Sequence, residues 1–383
     1  MGLILNDLKN ACELEHVCDY VNNRTTSSMN YISTENMLPN KGGISESTII
    51  PPGTTTEYKI GDILISNIRP YFQKIWCADR CGGCSADVLC IRAKENTDSK
   101  YLYYLLSQQA FFDYVMSGAK GCKMPRGDKK QIMQWPVNIP AIDVQKKVVA
   151  ILSSLDNKIR LNRRINDNLE EQAKALFKSW FVDFEPFKGG KFVDSELGLI
   201  PKGWSTGTIY SYIDVIYGAP YKSALFNDKK QGLPLIRIRD LKTYTPQYYT
   251  KEVLPNTEYV ECGDIIAGMD AEFIPHIWRG EKGVLNQRLC KFVPKYDYVS
   301  KYYIYSLVYP KLAFVQSYKV GTTVSHLGKA DIDRFKVIVP PEDIIMQYSK
   351  IVNSYFAEIV KVSNENQILS SLRDTLLPKL MSC

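Results

Sequence analysis

One short stretch concentrates the charge chemistry of the chain. Lys120, Lys123, Arg126, Lys129 and Lys130 stand together, opposed between them only by Asp128. Gly118, Gly121 and Gly127 are interleaved, which lets the backbone there approach a neighbour closely. Ammonium and guanidinium groups on such a loop can neutralise phosphates and reach base edges. A solvated charged loop is the plainer reading of the same residues. Further along, Ile236-Arg237-Ile238-Arg239 alternates, and alternation predicts a strand with both arginines on one face and both isoleucines toward the core. Two parallel arginines suit a phosphate or a guanine edge, because the guanidinium fork is bidentate to either. The polar loop Gly321-Thr322-Thr323-Val324-Ser325-His326 offers Thr322, Thr323, Ser325 and His326 to the same kind of surface.

Catalytic constellations are sparse by comparison. The three histidines, His16, His276 and His326, lie far apart in the sequence and lack metal-ligand spacing. Gly321 to Lys329 has the wrong spacing for a phosphate-binding loop and continues into Ala330 instead of Ser or Thr. No Asn-Pro-Pro-aromatic or Asp-Pro-Pro-aromatic clamp for an amino group occurs. Asp240-Leu241-Lys242 has the form of a nuclease tripeptide, but no upstream acid stands ready to share a metal. Cys77, Cys81, Cys84 and Cys90 invite a zinc reading, yet they form no pair of CxxC motifs. Asp87 to Ile91 reads as a strand, in which Cys90 is a small buried hydrophobe. The expectation is a chain with no active site and no bound cofactor or metal. The tyrosine runs at 101–104 and 302–305 could stack bases, but they sit at helical core spacing.

The elements that must position these groups repeat. Apolar residues recur in steps of four and three along Val148, Leu152, Leu155, Ile159, then Leu169, Ala173, Leu176 and Trp180, with Asn162 and Asn166 interrupting. The ladder returns about 200 positions later as Tyr348, Val352, Tyr355, Ile359, Val362, Asn366, Leu369, Arg373, Leu376 and Leu380. Such a period belongs to helices packed along one another, with the asparagines as register markers. The first helix is expected to stop at Glu185-Pro186, and the second to fray beyond Pro378, leaving Leu380 outside it. Elsewhere Gly61-Asp62-Ile63 is answered by Gly263-Asp264-Ile265, Cys90 by Cys290, Ser99-Lys100-Tyr101 by Ser300-Lys301-Tyr302, Ile132 by Ile332 and Pro140 by Pro340. Ser99 to Met116 has helical spacing, Gly61 to Ile65 reads as a turn feeding a buried strand with Gln73 to Cys77 beside it, and Trp135 to Ile139 as a last strand. Two copies of a domain plus a long helix imply a duplication. Such a unit can close on a pseudo-twofold axis with its helices antiparallel, each about 60 Å long at 1.5 Å per residue.

Composition is that of an ordinary globular protein: 383 residues, 45% hydrophobic, 23% charged, net charge +7. The basic excess suits an anionic partner. No run of about 18 apolar residues is present, and the opening residues have neither a signal peptide's basic flank nor a myristoylation signal. With ten cysteines and no export signal, the expected compartment is a reducing cytoplasm, away from membranes.

The stretch Leu161-Asn162-Arg163-Arg164-Ile165-Asn166, with Leu169-Glu170 and Ala175 to Pro186 (ALFKSWFVDFEP), resembles the central helix of type I restriction–modification specificity subunits. Ile63 to Tyr71, Gly83-Cys84-Ser85, Met124-Pro125-Arg126-Gly127-Asp128, Gly198 to Trp204, Leu285-Asn286-Gln287-Arg288 and Leu372 to Leu380 are similar to further marks of that family. The likeness spans essentially the whole chain, departing at Cys77 and Cys81 and in the short lead before Leu14. It implies an α/β (α+β) protein with residues 1–140 as one target-recognition domain, 141–187 as a central spacer helix, 188–340 as a second recognition domain and 341–383 as a second spacer helix. Each domain would read half of a split, asymmetric DNA target, which adds Arg69 and Arg288 to the candidate DNA contacts. Two methyltransferase subunits would bring S-adenosylmethionine, and restriction subunits ATP and magnesium chemistry. Arg160, Arg163, Arg164, Glu170 and Glu171, on the outer faces of the seam, would be free for partner helices. A self-contained DNA-modifying or DNA-cleaving enzyme and a structural adaptor are the alternatives.

Overall fold

The turn at Gly61-Asp62 and its later counterpart at Gly263-Asp264 are built alike. Both glycines have positive φ, +89° and +94°, which a side chain would resist. Both aspartates accept a backbone N–H from three residues earlier, Lys59 at 2.7 Å and Glu261 at 2.9 Å. Each turn launches a fully buried strand, Ile63–Ser66 and Ile265–Gly268. The computed structural model that shows this describes residues 11–26, 30–45, 47, 53–121, 123–319 and 326–382.

The first compact unit takes residues 1–157 and 370–383. Its main sheet is antiparallel, in the order Cys18–Tyr20, Val88–Ala93, Ile63–Ser66, Ile75–Cys77. A smaller sheet joins Arg24–Thr25, Thr55–Tyr58 and Gly82–Cys84. Helices Ser99–Leu106 and Gln109–Ser117 bury Tyr101, Leu102, Leu105, Phe111 and Phe112 in one cluster with Ile63, Ile65, Leu89 and Ile91. The single helix expected over 99–116 is thus two, because Gln108 adopts extended φ and ψ and restarts the spiral. Helix Lys129–Met133 leads to strand Pro136–Val137, which pairs with Cys12–Glu13.

The second unit, residues 158–369, repeats this order. Its main sheet runs Ile213–Tyr217, Leu289–Pro294, Ile265–Gly268, Pro275–Ile277, again antiparallel. Helix Lys301–Lys319 packs Tyr302, Tyr303, Ile304 and Val308 into the core. Helix Lys329–Asp333 leads to strand Lys336–Val339, paired with Ser205–Thr208. The accessory sheet gains strands, in the order Tyr248–Thr250, Leu233–Ile236, Gly283–Leu285, Tyr259–Val260. Even that addition has a trace in the first unit. Leu233–Ile236 runs parallel to Gly283–Leu285, and Ile32 makes a single parallel bridge to Cys84. The next backbone bond matches too: Asn286 N–H donates to the Ile236 carbonyl at 3.3 Å, and Ser85 N–H to that of Ile32 at 2.9 Å.

Each unit takes part of two long helices, Ile142–Phe181 and Glu342–Met381. Leu152, Ile159, Val352 and Ile359 are buried, while Leu155, Leu169, Leu176, Tyr355, Leu369 and Leu376 are half-buried. Within the second unit the helices are antiparallel. Asn162 Nδ2 donates to Glu365 Oε2 at 2.8 Å and Asn366 Oδ1 at 2.9 Å, Asn166 Nδ2 donates to Ser363 Oγ at 3.0 Å, and the Tyr348 hydroxyl meets the Ala173 carbonyl at 3.5 Å. Polar groups in a seam penalise shifted pairings, since each alternative leaves one of them without a partner. Both helix ends differ from expectation. The first stops at Phe181, where the Lys178 carbonyl accepts both Val182 and Asp183 N–H and Phe184 turns left-handed. The rings of Phe184 and Trp204, 5.5 Å apart, hold that turn. The second runs through Pro378 to Met381 and includes Leu380, because Leu377 and Met381 are buried in the first unit's core. Among the described residues no helix is long and apolar enough to cross a membrane.

Candidate nucleic-acid interface

The basic loop of the first unit folds back on itself. Lys120 and Arg126 exchange both backbone hydrogen bonds at 2.9 Å, and Arg126 also bridges Ile68. Gly127 N–H donates to the Asn67 carbonyl, Asn67 N–H to that of Asp87 and Arg69 N–H to that of Pro125. Three surface segments, around 67–69, 87 and 120–127, are stitched together by main-chain bonds. Gly127 is required where they meet, because a Cβ there would lie 2.8 Å from Val115 Cγ1 and 2.9 Å from Asn67 Oδ1.

This stitching brings Arg69, Lys120, Lys123 and Arg126 onto one neighbourhood, with Lys129 and Lys130 opening the following helix. Arg69 holds a left-handed φ of 51°, and its buried Nε lacks a hydrogen-bond partner among the described residues. The charges are partly spoken for. Asp87 Oδ1 lies 3.1 Å from Arg126 Nη2, and Asp128 Oδ2 lies 2.8 Å from Lys120 Nζ. Lys120, and then the N–H groups of Gln131 and Lys130, hold the Asp128 carboxyl down to about 2. The Lys129 ammonium sits 5.9 Å from the Tyr20 ring centre, while Lys123 and Lys130 are exposed.

Two of these bonds and one bridge recur among the described residues of the second unit. Leu327 N–H donates to the Met269 carbonyl at 2.7 Å, Met269 N–H to that of Arg288 at 2.9 Å, and Asp270 bridges His326. Asp270 holds His326 Nδ1 with one carboxylate oxygen at 2.7 Å and Arg288 Nη1 with the other at 3.0 Å. Thr322, Thr323 and Ser325 lie outside the described residues.

Arg237 and Arg239 do not share a strand face. The strand ends at Ile236, and Asp240 Oδ2 accepts the Arg237 N–H at 2.9 Å, turning Ile238–Asp240 into a short 3-10 helix. A side-chain acceptor three residues on competes successfully with the sheet ladder. The Arg237 guanidinium packs over Tyr248 and Phe226, 5.4 and 5.9 Å from their ring centres, while Arg239 reaches toward Gln247 at 3.4 Å. Burial pushes the Asp240 carboxyl up to about 6, and Lys242 pairs with Glu272 instead.

Glu170 is likewise not free for a partner. It forms a half-buried ion pair with Arg279, its carbonyl accepts the Tyr302 hydroxyl at 2.8 Å, and the Gln367 amide donates to the Arg279 carbonyl at 3.0 Å. In the first unit Arg373 Nη1 pairs with Asp156 at 2.9 Å, and the Tyr104 hydroxyl donates to that carboxylate at 2.7 Å. Arg160 and Arg163 also have interaction partners. Among the clustered cysteines, Cys77, Cys84 and Cys90 lie on strands. Burial pushes the thiols of Cys77 and Cys84 up, to about 11 and about 12.

The sequence reading passed over Asn67, Asp87 and Asp270. A carboxylate far along the chain from its arginine leaves no local pattern. The internal repeat was a usable signal only in part: at an offset of 200 it sets Arg126 against His326, whereas the main-chain bonds from Asn67 to Asp87 and from Met269 to Arg288 set Asp87 against Arg288, one position off the Cys90–Cys290 match.

The profile of the family described as "Type I restriction modification DNA specificity domain" matches residues 9–171 and 201–370. Among curated relatives, the chain is 27% identical over 316 residues to the type I restriction enzyme MjaIX specificity subunit of Methanocaldococcus jannaschii, covering 75% of this chain and 69% of that one. It is 24% identical over 430 aligned positions to the HindI specificity subunit of Haemophilus influenzae, covering 92% and 93%. Solved structures that align with it include the type I S subunit from M. genitalium, at 15% identity and TM-score 0.47 over 97% of this chain and 95% of that one. The HsdS subunit from Thermoanaerobacter tengcongensis aligns at 18% identity and TM-score 0.37 over 97% and 96%.

Proposed function

This chain belongs to the type I restriction–modification DNA specificity family, a specificity subunit whose role is target recognition, and we propose that each of its two repeats reads one half of a bipartite, asymmetric duplex sequence. The observation that carries this is the twice-built surface: the same three segments, joined by corresponding main-chain bonds, present charged side chains in each unit. Two similar readers in one chain suit a target with two separately read parts. Different side chains on the same frame suit two different half-sequences.

The chain supplies recognition, and chemistry comes from companions. Two methyltransferase subunits bring S-adenosylmethionine and the modification site, and restriction subunits bring ATP-driven cleavage with magnesium. All of this takes place in the cytoplasm, where the cell's DNA is. The test is a binding and turnover assay on duplex DNA with and without the methyltransferase partners. Sequence-specific binding with partners, and no cutting or methylation by the chain alone, is the expected result. Cutting or methylation by the purified chain would favour a self-contained enzyme. Indifference to DNA at low salt, with partners present, would favour an adaptor.

A further inference from the structure

We infer that in each repeat one arginine, aimed by one carboxylate across the stitched segments, is the guanine-reading side chain: Arg126 held by Asp87 in the first and Arg288 held by Asp270 in the second. This rests on the DNA-reading role proposed above and names the side chains that carry it.

The main-chain bonds define three corresponding positions: Ile68 with Asp270, Asp87 with Arg288, and Arg126 with His326. Charge is distributed over them differently. In the first repeat the middle position is the acid and the third the arginine. In the second the first position is the acid, the middle the arginine, and the third a histidine bonded to the same carboxylate. A surface needed only for phosphate attraction would not require an acid at all, since a carboxylate weakens a general attraction for a polyanion. Each repeat nevertheless keeps an acid–arginine contact there, with the residues in different places.

The exposures fit that role. The arginine side chains are 56% and 57% accessible, against 37% and 33% for their acids. The closest approach in each ion pair is by a terminal nitrogen, Nη2 of Arg126 at 3.1 Å or Nη1 of Arg288 at 3.0 Å. A guanidinium carries five N–H donors in a planar fork, so a two-point contact with guanine O6 and N7 is geometrically compatible with the carboxylate contact. An ion pair at the fork narrows rotamer freedom before the ligand arrives, which favours a contact that depends on direction. Asp87 and Asp270 are thus positioning residues, and the arginines make the contact.

The full chain, assembled with its methyltransferase partners, is tested on duplexes that vary every base pair of the target. Arg126→Lys and Asp87→Asn are each expected to lose about tenfold or more discrimination at one G·C pair in one half-site. Arg288→Lys and Asp270→Asn should do so in the other half. The lysine variants keep their charge, so their salt dependence should stay as in the parent, and unchanged unfolding midpoints would confirm that the fold is intact. An even loss over all sequences, or discrimination retained in all four variants, overturns the inference while leaving the reading of the chain as a DNA recogniser standing. A parent complex with no sequence preference would overturn that reading itself.

Discussion

Asp240 and Asn36 hold matching places in the two repeats. Each accepts a backbone N–H from three residues earlier, Arg237 at 2.9 Å and Ser33 at 3.1 Å, just after the chain leaves its parallel pairing. One is a buried carboxylate and the other a neutral amide, so the turn needs an oxygen acceptor and not a charge. Burial moves the Asp240 carboxyl from 3.8 up to about 6, so the folded chain keeps a proton over a range where the unfolded chain has released it. The stability from this group is complete below the unfolded value and is lost as pH rises through about 6. Asp240→Asn should remove that loss. Its unfolding midpoint is expected to match the parent near pH ~4 and to exceed it above pH ~7 by the equivalent of about 3 kcal/mol. A gap of the same size at every pH would show that Asp240 does not titrate in this window.

Among the elements, the long helices carry ion pairs that no periodicity reveals. Glu170, on the first long helix, pairs with Arg279 inside the second unit, with side chains only 25% and 17% accessible. Burial pushes the Glu170 carboxyl up despite the neighbouring guanidinium. Removing one partner of such a pair strands the other, at a cost of about 3 kcal/mol, whereas an apolar pair of similar volume is tolerated. Glu170→Met or Arg279→Met alone should lower the urea midpoint of the second domain more than the double substitution does. Additive losses would show that the two side chains are energetically independent. The seam itself was legible, because a four-three ladder needs only the order of apolar residues, and the tyrosine runs fell in the core as their spacing indicated. The partners of Glu170 and the turn at Arg237 were not legible. Arg279 is 109 positions from Glu170, and the Asp240 cap overrides an alternation only four residues long. Helix ends failed for a related reason: Phe184 and Met381 are placed by distant packing, not by the prolines nearby.

At the scale of the whole chain, duplication has set which changes are independent. The two main sheets share one strand order, and the surface segments are joined by corresponding main-chain bonds, so ancestry constrains the frame. Side chains at the corresponding positions 68, 87 and 126 against 270, 288 and 326 are free of that constraint and differ at every one. If each frame carries its own reader, replacing residues 1–140 by the first domain of another family member should change one half of the methylated sequence and leave the other intact. Direct readout depends on side chains within reach of a base edge, and the exchange leaves Asp270, Arg288 and His326 in their own stitched frame. Sequencing the methylated bases of cells that carry the exchanged chain measures both halves at once. A simultaneous change in both halves would mean that the repeats read the duplex jointly, through its deformation instead of separate base contacts.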